Sequence, residues 1–236
     1  GLLNEYLTEM TDIVLEEGGT LDKYIGDAIM AFWNAPHEVE DHADRALRCA
    51  VKMQRKMEEL NQRWATDSGE ELVVRIGVNT GAAVVGNVGG RDRFDYSAIG
   101  DPVNLAARLE PANKSYDTLT MASEFTLKEA VASDYFLREL DLIAVKGKSR
   151  PVRVYEILET QDGFLPEPKK EALIHYNQGL AAYQRRDWSL ASEYFQAALE
   201  SNPGDGPSKV YLDRARECIA NPPPTDWDFV VRRKVK

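Results

Sequence analysis

The chain has 236 residues, 43% of them hydrophobic and 29% charged, an ordinary globular composition with enough apolar mass for a core. Its 39 Asp+Glu against 29 Lys+Arg give a formal charge of -10, which argues against the basic footprint of a general nucleic-acid binder but not against a phosphorylated small molecule held by a few local cations. No apolar run approaches the ~20 residues that span a bilayer, no signal peptide is expected, and Cys49 and Cys218 form no metal-spaced or redox pair, which points to a reducing, cytoplasmic setting.

In chain order, Leu2, Leu3, Tyr6, Leu7, Met10, Ile13 and Val14 repeat at helical spacing, and Gly18-Gly19 ends that run. The helix is already under way at Gly1 with no capping residue before it, which reads as a chain cut from something longer. Residues 20–25 and 28–33 read as two strands around Gly26-Asp27, a dipeptide suited to a tight turn. A helix over 41–62 follows, with Ala46, Cys49, Ala50, Met53, Met57 and Leu60 on its inner face. Next come strand-like "LVVRIGVNTG", "AAVVGNVGG" and "RFDYSAIG". Then follow a helix over 102–109, the strand "DTLTMAS", a short helix near Ser123, and two strands around "VKGKSRP". This order predicts an α+β sheet with helices packed on one face.

Residues 159–170 are polar, proline-bearing and aperiodic, and read as a linker. Beyond it, over 171–220, Gly179, Ala191, Phe195, Ala198 and Pro203 fall at the spacing of a tetratricopeptide helical pair, with His175 where a tryptophan is usual. A further helix over 208–219 caps the pair, and the prolines of "NPPPTDWDF" open an irregular tail over 221–236. One such repeat cannot build a solenoid, so a small docking or packing module is expected. Its aromatics Tyr176, Tyr183, Trp188, Tyr194 and Phe195 read as inter-helix packing.

On residue type alone, Asp27 fits a turn and Lys23 an exposed strand charge. "YSAIGDPVNLAARLE" adds a second constellation: Asp101 as a helix cap with Pro102 in the first position, and Asn104 and Arg108 four apart on one helical face. An Arg one turn after an Asn suits an anionic ligand. The glycine-rich run over 77–90 lacks the Lys-Ser/Thr ending of a phosphate loop, and its glycines read as positions of close strand packing. His37 and His42 are too isolated for a metal cluster.

Taken together, "GGTLDKYIGDAIMAFW", "RIGVNTGAAVVGNVG", "YSAIGDPVNLAARLE" and "VKGKSRPVRVYEI" resemble, in order and spacing, the catalytic domain of class III nucleotide cyclases, over residues 1–158. The resemblance implies a ferredoxin-like fold and a head-to-tail homodimer with nucleotide sites at the interface. It also implies two divalent cations, Mg²⁺ or Mn²⁺, and attack of the ribose 3′-hydroxyl on the α-phosphate. Carried over by position, Asp27 is a metal ligand and Lys23 and Ser97 read the purine. Asn104 orients the ribose, Arg108 stabilises transition-state charge, and Lys146 binds the triphosphate, with Lys148 a second candidate.

A Lys–Ser pair favours ATP over GTP and lies near the Thr-bearing adenylate cyclase subgroup. Guanylate cyclase differs from this reading at Lys23 and Ser97 only, and a non-catalytic pseudo-cyclase acting as a regulatory dimerisation partner is the other alternative. The resemblance fails at one point. The family's other metal aspartate lies on a first strand, in an F-x-D-I-x-G-F-T setting ahead of the opening helix, and this sequence has no such strand. Asp12-Ile13 sits inside the helical run without the following Gly-Phe and is no substitute. The chain as given is therefore expected to have little or no activity, the active enzyme being a longer parent, commonly one behind a sensor. A protein partner for the tetratricopeptide-like tail is a further expectation, and a nucleic acid is not.

Overall fold

The computed structural model describes residues 1–67, 69, 71–90, 94–144 and 150–230. Helix α1 (Leu2–Glu16) leads into the hairpin β1 (Thr20–Ile25) and β2 (Ala28–Phe32), then the long helix α2 (His42–Asp67). Strands β3 (Ile76–Val78), β4 (Val84–Gly89) and β5 (Phe94–Ile99) precede helix α3 (Asp101–Ala112). Strand β6 (Thr120–Ser123), helix α4 (Glu124–Glu129) and the long strands β7 (Tyr135–Ile143) and β8 (Val152–Thr160) complete this part, and α5 (Glu167–Gln184), α6 (Trp188–Ser201) and α7 (Gly206–Ala220) follow.

Among the described residues the strands form three ladders. The central sheet has the order β3-β6-β8-β7, with β3 and β6 parallel and the other pairs antiparallel. The β1-β2 hairpin and the β4-β5 pair form separate two-stranded ladders rather than joining one sheet. Hydrogen bonds from Ser97 and from the Ala98 backbone to the Asp22 side chain connect these two ladders, in place of a backbone ladder.

Helices cover both faces of the central sheet, which corrects the one-faced expectation. Side chains alternate along a strand. Met121 accordingly packs with Leu105 and Leu109 of α3, while its neighbour Ala122 packs with Leu47 and Val51 of α2. The α2 face is otherwise as read, with Cys49, Ala50, Met57 and Leu60 buried, and it continues to Trp64. Tyr6 and Met10 of α1 lie against Met57, Leu60 and Trp64, whereas Leu3, expected on the same stripe, points outward. Ser123 caps α4 by accepting from the Thr126 amide.

The irregular connection is shorter than the predicted linker, because β8 runs to Thr160 and α5 begins at Glu167, leaving 161–166. Glu159 is part of the sheet and binds Arg55 of α2. The helical module then closes over the edge strand β7. Tyr176 and Tyr211 donate from their hydroxyls to the Glu139 and Leu140 carbonyls, at 2.8 and 2.7 Å. Arg138 of β7, 3% exposed, donates to Glu156 at 2.6 Å and to both oxygens of Asp205, the cap of α7, at 2.8 Å. Its guanidinium also lies 4.7 Å from the centre of the Tyr176 ring. Inside the module, Tyr176, Tyr183 and Phe195 pack between the helices as expected, with Trp188 and Tyr194 partly buried against them, and Tyr211 of α7, not singled out from the sequence, completes the aromatic cluster.

Candidate functional site

The first half of the site is the β1-β2 hairpin. Gly26 holds φ +66°, a left-handed conformation that glycine adopts without penalty, and this leaves Asp27 exposed at the turn. Strand β1 carries a bulge: Leu21 pairs with Ala31 and Lys23 with Met30, so Asp22 is the unpaired extra residue. In a regular strand Asp22 and Lys23 would face opposite sides. Here the Lys23 Nζ lies 3.2 Å from Asp22 Oδ1. The Asp22 side chain has no exposed surface, whereas that of Lys23 is 39% exposed.

Asp22 Oδ2 accepts from the Ser97 hydroxyl at 2.5 Å and from the Ala98 amide at 3.4 Å. Ser97 itself is 4% exposed, so few groups other than Asp22 compete for its proton. The two predicted purine-reading residues are therefore brought together through a third, Asp22, which the sequence reading passed over. The signal was present: two consecutive charges, Asp22-Lys23, break the period-2 pattern of a half-buried strand, as a bulge does.

The second half is α3. Gly77 and Gly81 have no side chain where a Cβ would collide with the Ala106 carbonyl and the Pro102 ring, so β3 and the following loop lie directly against the helix. Leu105 and Leu109 fill the core, and Asn104 and Arg108, one turn apart, share the exposed side. The helix starts one residue earlier than read. Gly100, at φ +146°, is the cap position and Asp101 is the first helical residue, with no side-chain cap bond. Its carboxylate still complements the positive end of the helix. Lys146 and Lys148 lie outside the described residues.

A family model for the adenylate and guanylate cyclase catalytic domain matches residues 1–159, two thirds of the chain. The chain belongs to this family. A tetratricopeptide-repeat model matches 172–205. "Adenylate cyclase, terminal-differentiation specific" of Dictyostelium discoideum is 34% identical over 222 residues, covering 93% of this chain and 10% of that protein. "Adenylate cyclase 1" of Rhizobium meliloti (strain 1021) is 36% identical over 157 residues, covering 66% of this chain and 24% of that protein. The chain thus spans a quarter or less of the length of these two relatives. The crystal structure of the adenylyl cyclase CyaB from P. aeruginosa superposes with a TM-score of 0.62 at 35% identity, over 70% of this chain and 84% of that one. That of the guanylyl cyclase Cya2 gives 0.60 at 34% identity, over 69% and 81%.

Within the cyclase domain, the carboxylate expected to hold a metal is Asp27 alone. Among the described residues no group of three or more His, Cys, Asp or Glu side chains could hold a metal ion. Asp27 supplies one carboxylate toward the oxygen ligands that a hard divalent cation takes. The hairpin and the β4-β5 pair also expose large apolar side chains: Ile25 and Phe94 are each 60% exposed, and Tyr24, Val84 and Ile99 are exposed as well. No helix among the described residues is long and apolar enough to cross a membrane.

Proposed function

We propose that this chain is the adenylate cyclase type of the family, binding ATP in a head-to-tail homodimer and serving its conversion to 3′,5′-cyclic AMP and pyrophosphate. The observation that carries the choice of ATP is the Lys23–Asp22–Ser97 cluster. An ammonium has only protons to give, which suits the bare N1 of adenine and opposes the N1–H of guanine. The names of the relatives from Dictyostelium and Rhizobium support the same reading.

In the reaction the 3′-oxygen forms a bond to the α-phosphorus while the bond to the pyrophosphate oxygen breaks, and the 3′-hydroxyl proton is released to solvent. Asn104 orients the ribose and Arg108, on the exposed side of α3, balances the negative charge gathering on the α-phosphate. Lys146 takes the triphosphate. The exposed apolar side chains of β1, β4 and β5 are the surface a second copy would cover, since exposed apolar side chains gathered on neighbouring strands, as Val84 and Ile99 are, mark association sites. The family uses divalent cations, and Asp27 is the residue of this chain that would contribute to them. Because it stands alone, we expect cyclisation by this chain to be weak.

A non-catalytic, regulatory dimerisation module is the second reading, and the apolar side chains exposed on β1, β4 and β5 are what such a module would use. ATP and GTP binding together with cyclic AMP formation in Mn²⁺ tests both. The cyclase reading expects ATP to bind more tightly than GTP, with Lys23→Ala weakening ATP about tenfold or more, the size of one charge-assisted hydrogen bond. Absence of nucleotide binding, with dimers still forming, would favour the regulatory module.

A further inference from the structure

We propose that Asp22 is a positioning residue that sets base selectivity by fixing the direction of the Ser97 hydroxyl, an inference that rests on the adenylate cyclase reading above. A serine hydroxyl has one proton and two lone pairs, so unaided it greets an amino group and a carbonyl about equally well. It would then discriminate poorly between adenine, with an amino group at position 6, and guanine, with a carbonyl there.

Asp22 removes that ambiguity. A carboxylate only accepts, so the 2.5 Å contact takes the single Ser97 proton and leaves lone pairs for any ligand. A hydroxyl in this state accepts from the adenine amino group and meets the guanine carbonyl acceptor to acceptor. Burial makes the arrangement firm: Ser97 is 4% exposed and the Asp22 side chain has no exposed surface, so water offers no competing partner. The same carboxylate stations the Lys23 ammonium, 3.2 Å from an oxygen that makes no hydrogen bond of its own. The bulge at Asp22 makes this possible, because it turns two neighbouring side chains toward one point. One residue thus presents an acceptor and a donor, the complement of the adenine edge. A site built on fixed polar groups rejects the mismatched base more strongly than an adaptable one.

The plain structural alternative is that Asp22 merely ties β1 to β5, since it also accepts from the Ala98 amide. Dissociation constants for ATP and GTP, measured by calorimetry on the full chain with Mn²⁺, separate the two. In Asp22→Asn the amide can donate to Ser97 and free its proton to face the base. We expect the ATP-over-GTP preference to fall about tenfold, mostly through tighter GTP. In a Ser97→Ala background the same substitution should leave the preference unchanged, because its lever is gone. Asp22→Ala, read the same way after its melting temperature is taken, guards against a misfolded first variant. Equal weakening of both nucleotides, or effects of Asp22→Asn and Ser97→Ala that multiply, would overturn the inference alone. An unsubstituted chain that binds neither nucleotide would overturn the adenylate cyclase reading and this inference with it.

Discussion

The two ends of the molecule treat polar groups and apolar surface in opposite ways. Where the helical module meets β7, charges are buried in pairs, hydroxyls meet backbone carbonyls, and aromatic rings pack on one another. Around the hairpin and the β4-β5 pair, the ladders are two-stranded, Ile25 and Phe94 lie in solvent, and Asp27 stands at an open turn. A two-stranded ladder has too little core to be stable by itself. The contrast teaches where the chain covers its own surface and where it does not: the β7 edge is closed by the helical module, and the hairpin half keeps apolar side chains exposed, which the proposed dimer would cover.

The largest effect should come from breaking the closed end. Arg138 is buried between Glu156 and Asp205, and the neighbouring carboxylates hold its proton more tightly than usual, against a burial that alone would loosen it. Arg138→Ala would leave two buried carboxylates without their cation, a change that costs about 3–5 kcal/mol. Urea denaturation of the full chain should show one transition that shifts as a whole. If the module were a loosely tethered appendage, the variant would leave the cyclase transition where it was.

A smaller effect is expected at the open end, in the opposite currency. Neither Ile25 nor Phe94 is part of the core, so replacing both by Asp should leave the melting temperature of the monomer nearly unchanged. Each would cover on the order of 1.5–3 kcal/mol of apolar surface if buried in a second copy. Self-association, measured by sedimentation, should weaken at least tenfold. An unchanged association constant would mean that this surface is not the dimer contact.

What the sequence disclosed follows the same division. The order of elements, the turn at Gly26-Asp27 and the inner face of α2 were legible because local spacing and turn chemistry specify them. The placement of Asn104 and Arg108 on one side of α3 was legible for the same reason, as both sit on one helix. The Arg138 cluster was not, since its partners lie 18 and 67 residues further along and only the fold brings them near. Asp22 stayed hidden for a different reason. A bulge is a one-residue departure from the period, and reading a regular strand sends its side chain to the wrong face. Helices on both faces of the sheet were missed because alternation along β6 matters only once both Met121 and Ala122 are known to be buried.

The smallest effect concerns the region between these ends, where α2 buries Cys49 against Ile13 and Val14. Burial, with the Glu17 carboxylate adding to it, pushes its thiol up to about 12 from an ordinary value of 9.0. The folded state therefore holds the proton more tightly than the unfolded chain. This contribution is fully present below about pH 9 and is lost as pH rises from there toward 12. A thiol reagent applied near pH 8 should leave Cys49 unmodified in the native protein and label it rapidly in urea, since the thiolate is the reactive form. Rapid native labelling would mean that α1 lifts from α2 on its own. That would move α1, too, from the closed part of the molecule to the open one.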